Sequence, residues 1–300
     1  MILFFFALLS SSAHAEILNP AFAKSIDTCK TAKPSAHVWF FKQWHLGPKL
    51  DTTDIKKSLS LPQEANQRAI FEQLDSWISS RKLKIIIAEG CGSGEMTEAT
   101  ALKFNGWDVT GLKSQSTKAD YDSILTSVPL KLEAKYGSKI HVVCGDDEEL
   151  AKKNALAFSD ARGELGYLTR LEQYKNDPSK AADYLEDVVK LYHLPADTTV
   201  AQGISKLRSE LKTSIDQVQQ FIQKRNEHLV EVAAKVAQSK TSSDDIAIVF
   251  GGAHAEGVKT LLEGKLLTCD IVEPAGYPTD DRDEAKMIKR LKELLFSSHD

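Results

Sequence analysis

The sequence predicts an α/β fold: a mostly parallel central sheet flanked by helices, with a large helical insertion before the last strands. Three observations lead there. Short β-branched or aromatic runs alternate with long helical patterns, the order of a parallel sheet. The runs around Ile85, Val143 and Ile248 are continuously apolar, as strands covered on both faces are. The stretch from about 147 to 240 carries many helical patterns and no convincing strand.

Taken in order, the chain opens with an export signal. Met1 to Leu9 is apolar, Ser10 to Ser12 follow, and Ala13-His14-Ala15 is the small-x-small pattern that precedes signal cleavage, here before Glu16. Residues 16–300 then form one continuous domain, with no repeat or flexible linker to divide it. Strands are expected at Val38 to Phe41, Leu83 to Ala88, Lys139 to Val143, Asp245 to Phe250 and Leu266 to Val272, with a weaker one at Trp107 to Leu112. The helix after the first strand is marked by a capping box at Ser60-Leu61-Pro62-Gln63 and a stripe of Ile70, Leu74, Trp77 and Ile78. Further helices are expected at about 95–105, 117–136, 255–263 and 281–296, and the insertion breaks at Asp177-Pro178 and Leu194-Pro195.

Composition bounds the function. The formal charge is −4 and apolar residues make up 42%, an ordinary globular balance that argues against nucleic acid as the main partner. No segment after the signal has the roughly 18 consecutive apolar residues of a membrane helix, so the expected mature protein carries no membrane span and is periplasmic or secreted. Cys29, Cys91, Cys144 and Cys269 are widely spaced with no Cys-x-x-Cys, so a zinc ribbon is not expected. In an oxidising compartment they allow three disulfide connectivities, and buried thiols are the alternative.

Ligands of open α/β sheets sit outside the carboxyl ends of the strands. Three such ends carry ionisable residues: Lys42-Gln43-Trp44-His45, Ala88-Glu89-Gly90, and Gly251-Gly252-Ala253-His254. A lone His at a strand end is more often a hydrogen-bonded structural residue. Three ionisable groups at equivalent positions reverse that preference. His45, Glu89 and His254 suit a divalent metal or general acid–base work.

A fourth candidate follows from helix register. Leu211, Ile215, Val218, Ile222, Leu229, Val232 and Val236 step by three and four, and the register asks for an apolar residue where Arg225 stands. An unpaired buried guanidinium is costly. Arg225 is therefore expected to meet a carboxylate, with Glu89 the natural candidate, or an anionic ligand, or else to snorkel from the stripe edge. Asp146 and Asp147 end another strand, where they are expected either to support the site residues or, chiefly, to cap the following helix.

Two resemblances stand on these residues. Glu89-Gly90-Cys91-Gly92-Ser93-Gly94 resembles the first motif of class I S-adenosylmethionine methyltransferases, but Lys113 stands where that family's ribose-binding acid belongs, and the insertion displaces the next strand. The second covers most of the mature chain. Gly251-Gly252-Ala253-His254, Glu89, Lys224-Arg225-Asn226, and Gln63, Asn66, Gln67 and Ile70 together resemble the Tiki/TraB/ChaN superfamily, which includes erythromycin-esterase-like proteins. The early motif departs, with Lys42 where the family has Gly and Gln43 where ChaN-like members often have Glu.

That resemblance implies a parallel-sheet fold and functions that vary among members: metal-dependent peptidases, esterases and haem binders. The expectation for this chain is hydrolysis of a peptide, amide or ester. His45, Glu89 and His254 would hold a divalent ion, or His45 would act as general base, and Arg225 would fix Glu89 or serve an oxyanion. Haem on His45 or His254 is the alternative, and methyl transfer the second alternative.

Overall fold

The computed structural model describes residues 18–31, 34, 36–44, 60–80, 82–104, 127–239 and 245–278, with 286, 288–289 and 291–292 near the end. The expected signal peptide, the strand at Trp107 to Leu112, the start of the 117–136 helix, most of the 281–296 helix and His45 itself lie outside these residues. So do the capping-box side chains, although the helix does begin at Ser60.

A six-stranded, mostly parallel sheet runs through the protein. Its strands are β1 (Ala23–Cys29), β2 (Ala36–Gln43), β3 (Leu83–Ala88), β4 (His141–Cys144), β5 (Asp245–Gly251) and β6 (Leu267–Pro274). Their spatial order is β1-β6-β2-β5-β3-β4. Only β1 runs antiparallel, against β6. It was not foreseen, because Ala-Lys-Ser-Ile-Asp-Thr-Cys has neither alternation nor an apolar run, and its five central residues face solvent. Backbone pairing along β6 and the Cys29–Cys269 disulfide hold it at the edge.

Helices cover both faces. The β-branched and aromatic residues of β2 divide by parity, Trp39 and Phe41 to one side, Val38 and Phe40 to the other. On the first side lie α1 (Ser60–Ser79), α2 (Glu98–Phe104) and α3 (Val128–Tyr136), which bury Ile70, Leu74, Trp77, Ala101 and Leu132 against the sheet. Trp77 anchors α1, with its ring 5.0 Å from that of Trp39 and 5.7 Å from that of Phe41.

The other side is covered by the end of the helical insertion and by α7 (Ala255–Gly264). The insertion comprises α4 (Glu148–Tyr174), α5 (Pro178–Leu191) and α6 (Val200–Ser239). Its breaks fall where the prolines predict, and Asp177 caps α5 by accepting from the Lys180 N–H. Ala157, Leu168, Leu171, Val188, Leu207, Leu211 and Ile215 give it a hydrophobic core of its own. With 40 residues, α6 leaves that core and continues onto the sheet. Along this path the buried positions are Val230, Ala233 and Ala237, with the expected Val232 and Val236 half-buried beside them.

The topology marks one place on the sheet. The connection after β3 passes to β4, and the one after β5 passes to β6 on the other side. The adjacent carboxyl ends of β3 and β5 therefore border the crevice where such sheets take ligands.

Candidate functional site at the carboxyl edge of the sheet

Glu89 follows β3 directly and is nearly buried, with its side chain 10% exposed. Its backbone N–H still pairs with Val249 O across to β5, so the carboxylate is carried on an extension of the sheet ladder. Oε2 accepts the Gly251 N–H at 2.5 Å, and Oε1 accepts from Arg225 Nη2 at 2.6 Å. The chain then turns at Gly90, whose φ of 90° favours glycine.

Arg225 reaches these groups from α6 and is 6% exposed. Nε and Nη2 donate to the two oxygens of Asp146, at 2.9 and 2.7 Å, while Nη2 also serves Glu89. Its guanidinium carbon stands 5.6 Å from the centroid of the Phe250 ring. Register thus predicted both the burial and the Glu89 partner. Asp146 proves the fuller partner and takes the supporting place that was the alternative to a helix cap; register does not mark its pairing with Arg225. Asp147 does cap α4, accepting from the Leu150 N–H at 2.8 Å. Asp146 instead points inward, fully buried.

Two carboxylates against one guanidinium leave this cluster with one formal negative charge in excess. Burial pushes the Asp146 carboxyl above the usual range, Arg225 opposes that rise, and Glu89 adds to it. Burial works against the Arg225 charge, but Glu89 and Asp146 outweigh it and raise its pKa.

His254 follows β5 through a short 3₁₀ turn, Gly252–His254, and is 4% exposed. Its Nδ1–H donates to Asn226 Oδ1 at 2.6 Å, and its ring meets Phe250 edge-on at 4.9 Å. That bond makes Nε2 the basic nitrogen of the neutral ring. Asn226 adjoins Arg225 on α6, so one helix supplies both the clamp on Glu89 and the clamp on His254. Gly257 on α7 makes room for it: a Cβ there would stand 2.2 Å from Asn226 Nδ2.

The end of β2 is held just before His45. Asn66 Nδ2 donates to Lys42 O and its Oδ1 accepts the Trp44 N–H at 2.8 Å. Gln67 Nε2 donates to Trp44 O at 2.8 Å, and Gln43 Nε2 donates to Gln67 Oε1 at 3.2 Å. The amides of α1 thus fix the backbone that leads to His45. Sequence reasoning overlooked Tyr277, whose hydroxyl lies against Gly252; a Cβ at Gly252 would come within 1.8 Å of that oxygen. Lys42 Nζ sits 4.0 Å over the Tyr277 ring and 3.8 Å from Glu273. A turn after the last strand carries no sequence mark of this proximity.

Glu89, Arg225 and His254 are therefore all placed around the crossover, with Asp146, Asn226 and Tyr277 beside them. As for a divalent ion, no three His, Cys, Asp or Glu side chains gather to hold one among the described residues. Each Glu89 oxygen already accepts a hydrogen bond, and of the expected ligands His45 lies outside these residues.

The cysteines form two disulfides, Cys29–Cys269 and Cys91–Cys144, which fit an oxidising compartment. No helix among the described residues is long and apolar enough to cross a membrane. In comparisons with known proteins, no family model, curated protein or solved structure matches the chain.

Proposed function

We propose that this chain is an exported hydrolase of the Tiki/TraB/ChaN type, acting on a peptide, amide or ester bond by general acid–base chemistry. One observation carries the reading. An imidazole oriented by Asn226 and a carboxylate clamped by Arg225 border the same crossover of the sheet, both secured from one helix. Burying two carboxylates and a guanidinium is a poor way to gain stability, which favours a functional reason for the arrangement.

In this reading His254 Nε2 accepts a proton from the attacking water and returns it to the leaving nitrogen or oxygen. Arg225 Nη1, which makes no bond among the described residues, serves the carbonyl oxygen as it gains charge. Glu89 holds that guanidinium and the Gly251 backbone in place. His45, which follows Trp44 in the sequence, is the second imidazole of this reading. The donor set favours this version over a metal centre, because Glu89 is committed to Arg225 and Gly251. The apolar leader ending in Ala13-His14-Ala15 and the two disulfides support a periplasmic or secreted location.

The test is turnover of chromogenic esters, amides and peptides by the mature protein, with and without chelator. Removing the His254 or His45 imidazole (His254→Ala, His45→Ala) should lower turnover by about 10²–10⁴-fold with the fold intact, and chelation should leave it unchanged. Turnover that survives His254→Ala sinks the role of that residue, and loss on chelation would favour the metal version. A haemin Soret shift abolished in either variant, without turnover of any substrate, would favour haem binding instead.

A further inference from the structure

Each carboxylate of the Arg225 clamp lies two residues from a half-cystine. Cys91 follows Glu89 at that spacing, Cys144 precedes Asp146 by the same interval, and the two are bonded with their Cα atoms 5.2 Å apart. We propose that Cys91 and Cys144 are positioning residues, whose disulfide sets the Glu89–Arg225–Asp146 geometry so that the candidate site is assembled only in the oxidised chain.

Glu89 and Asp146 meet through a single guanidinium, Arg225 Nη2 standing 2.6 Å from one carboxylate and 2.7 Å from the other, so both contacts hold only while the chain ends after β3 and β4 keep the separation that Arg225 spans.

The β3–β4 ladder, which ends at the Ala88–Cys144 pair, restrains the same separation before the carboxylates, and further backbone bonds restrain it beyond. Gly145 N–H donates to Ala88 O at 2.9 Å, next to the carboxylates. Farther along, Cys144 N–H donates to Gly94 O and Met96 N–H to Val142 O, both at 2.8 Å. Between them the chain turns at Gly90, and it takes no helix until Glu98. Cys91, fully buried, is the covalent tie within that interval.

The other disulfide has a different position. Cys269 pairs in register with Val38 near the start of β2, so Cys29–Cys269 fastens the edge strand toward the amino ends of the parallel strands, away from the crossover. One bond secures the sheet and the other secures the site.

The chemistry balances simply. The Cys91 and Cys144 thiols give up two electrons and two protons by thiol–disulfide exchange, and a disulfide-bearing oxidant of the receiving compartment is reduced to its dithiol. Before that step the carboxylates lack their tether. The consequence, a site that is slack in a reducing cytosol and set after export, rests on the hydrolytic reading above; the positioning itself does not.

A substrate-free measurement separates the two. In the mature protein with labelled arginine, the Nε–H resonance of Arg225, assigned by its loss in Arg225→Lys, reports the bond to Asp146. Replacing Cys91 and Cys144 together by Ala should shift that resonance and speed its hydrogen exchange by at least about tenfold. Replacing Cys29 and Cys269 together should leave both as they are. An unchanged resonance and exchange rate in the Cys91→Ala/Cys144→Ala protein overturns the proposal.

If that variant does not fold, the wild-type protein is titrated with a dithiol, and thiol counting by mass spectrometry identifies the opened pair. The Arg225 resonance must then change on opening of Cys91–Cys144 while helical circular dichroism persists. Loss of both signals together overturns the proposal. Failure to find any hydrolytic substrate leaves either result standing.

Discussion

Arg225 is the residue on which the site turns, and its replacement separates charge from geometry. Arg225→Met leaves Glu89 and Asp146 buried without their cation and should cost about 3–5 kcal/mol in denaturant unfolding. Arg225→Lys keeps the charge but cannot donate at once from Nε and Nη2, so an intermediate loss is expected. Equal stability of the Lys variant and the wild type would show that the fork contributes nothing. The Asn226 clamp is tested from its other side. Gly257→Ala would place a Cβ against Asn226 Nδ2, cost about 1–3 kcal/mol, and uncouple His254 from its partner. The His254 ring resonances in NMR should shift in that variant, and unshifted resonances would show that Asn226 holds its place regardless.

Among the elements, α6 joins two environments, and its far end packs against a further buried acid. Glu164 on α4 is 7% exposed and accepts from the Tyr192 hydroxyl at 3.2 Å, and its Oε2 has no hydrogen-bond partner among the described residues. Burial pushes its pKa up; Ser214 on α6 and Tyr192 oppose the rise, and Glu210 and Asp160 add to it. For an acid with a raised folded pKa, the stability it contributes is complete below its ordinary value. That contribution is lost as pH climbs through the folded one. The difference in unfolding midpoint between wild type and Glu164→Gln should therefore move in favour of the variant as pH rises from about 4 to 8. A difference that stays flat across that range would mean that Glu164 remains in one protonation state throughout.

On the scale of the whole molecule, the disulfides divide the work of holding the fold. Cys29–Cys269 spans 240 residues of sequence and ties down a strand with little apolar burial. Replacing both cysteines by Ala should lower stability by about 2–5 kcal/mol, measured by denaturant unfolding, while Glu89, Arg225 and His254 keep their arrangement. Fraying of β1 should accompany that loss, seen as faster amide exchange at Lys24–Thr28. Protection there equal to the wild type would show that β6 pairing alone secures the edge.

How much of this was legible depends on whether the signal was local. Continuous apolar runs and helical periodicity are properties of neighbouring residues, so the five strands described at the places expected, the insertion and its proline breaks could be read from the chain. Arg225 was legible for the same reason, since a cation inside an apolar stripe violates a local rule and demands a partner. The edge strand β1 was not, because it is held by partners at the far end of the chain and by a disulfide, with no apolar pattern of its own. Nor were the inward turn of Asp146, the amide clamps from Asn66, Gln67 and Asn226, or the approach of Tyr277 to Gly252.

By itself, then, the sequence determined the α/β layout, the two strand ends bearing Glu89 and His254, and the buried arginine that had to meet an acid. Only the tertiary structure decided which cysteines pair, which of two adjacent aspartates turns inward, and which nitrogen of His254 is held. The physical reason is that each of these depends on separations of a few ångströms between residues distant in the chain. Hydrogen bonds and disulfides are formed or refused at that range, and periodicity does not encode it.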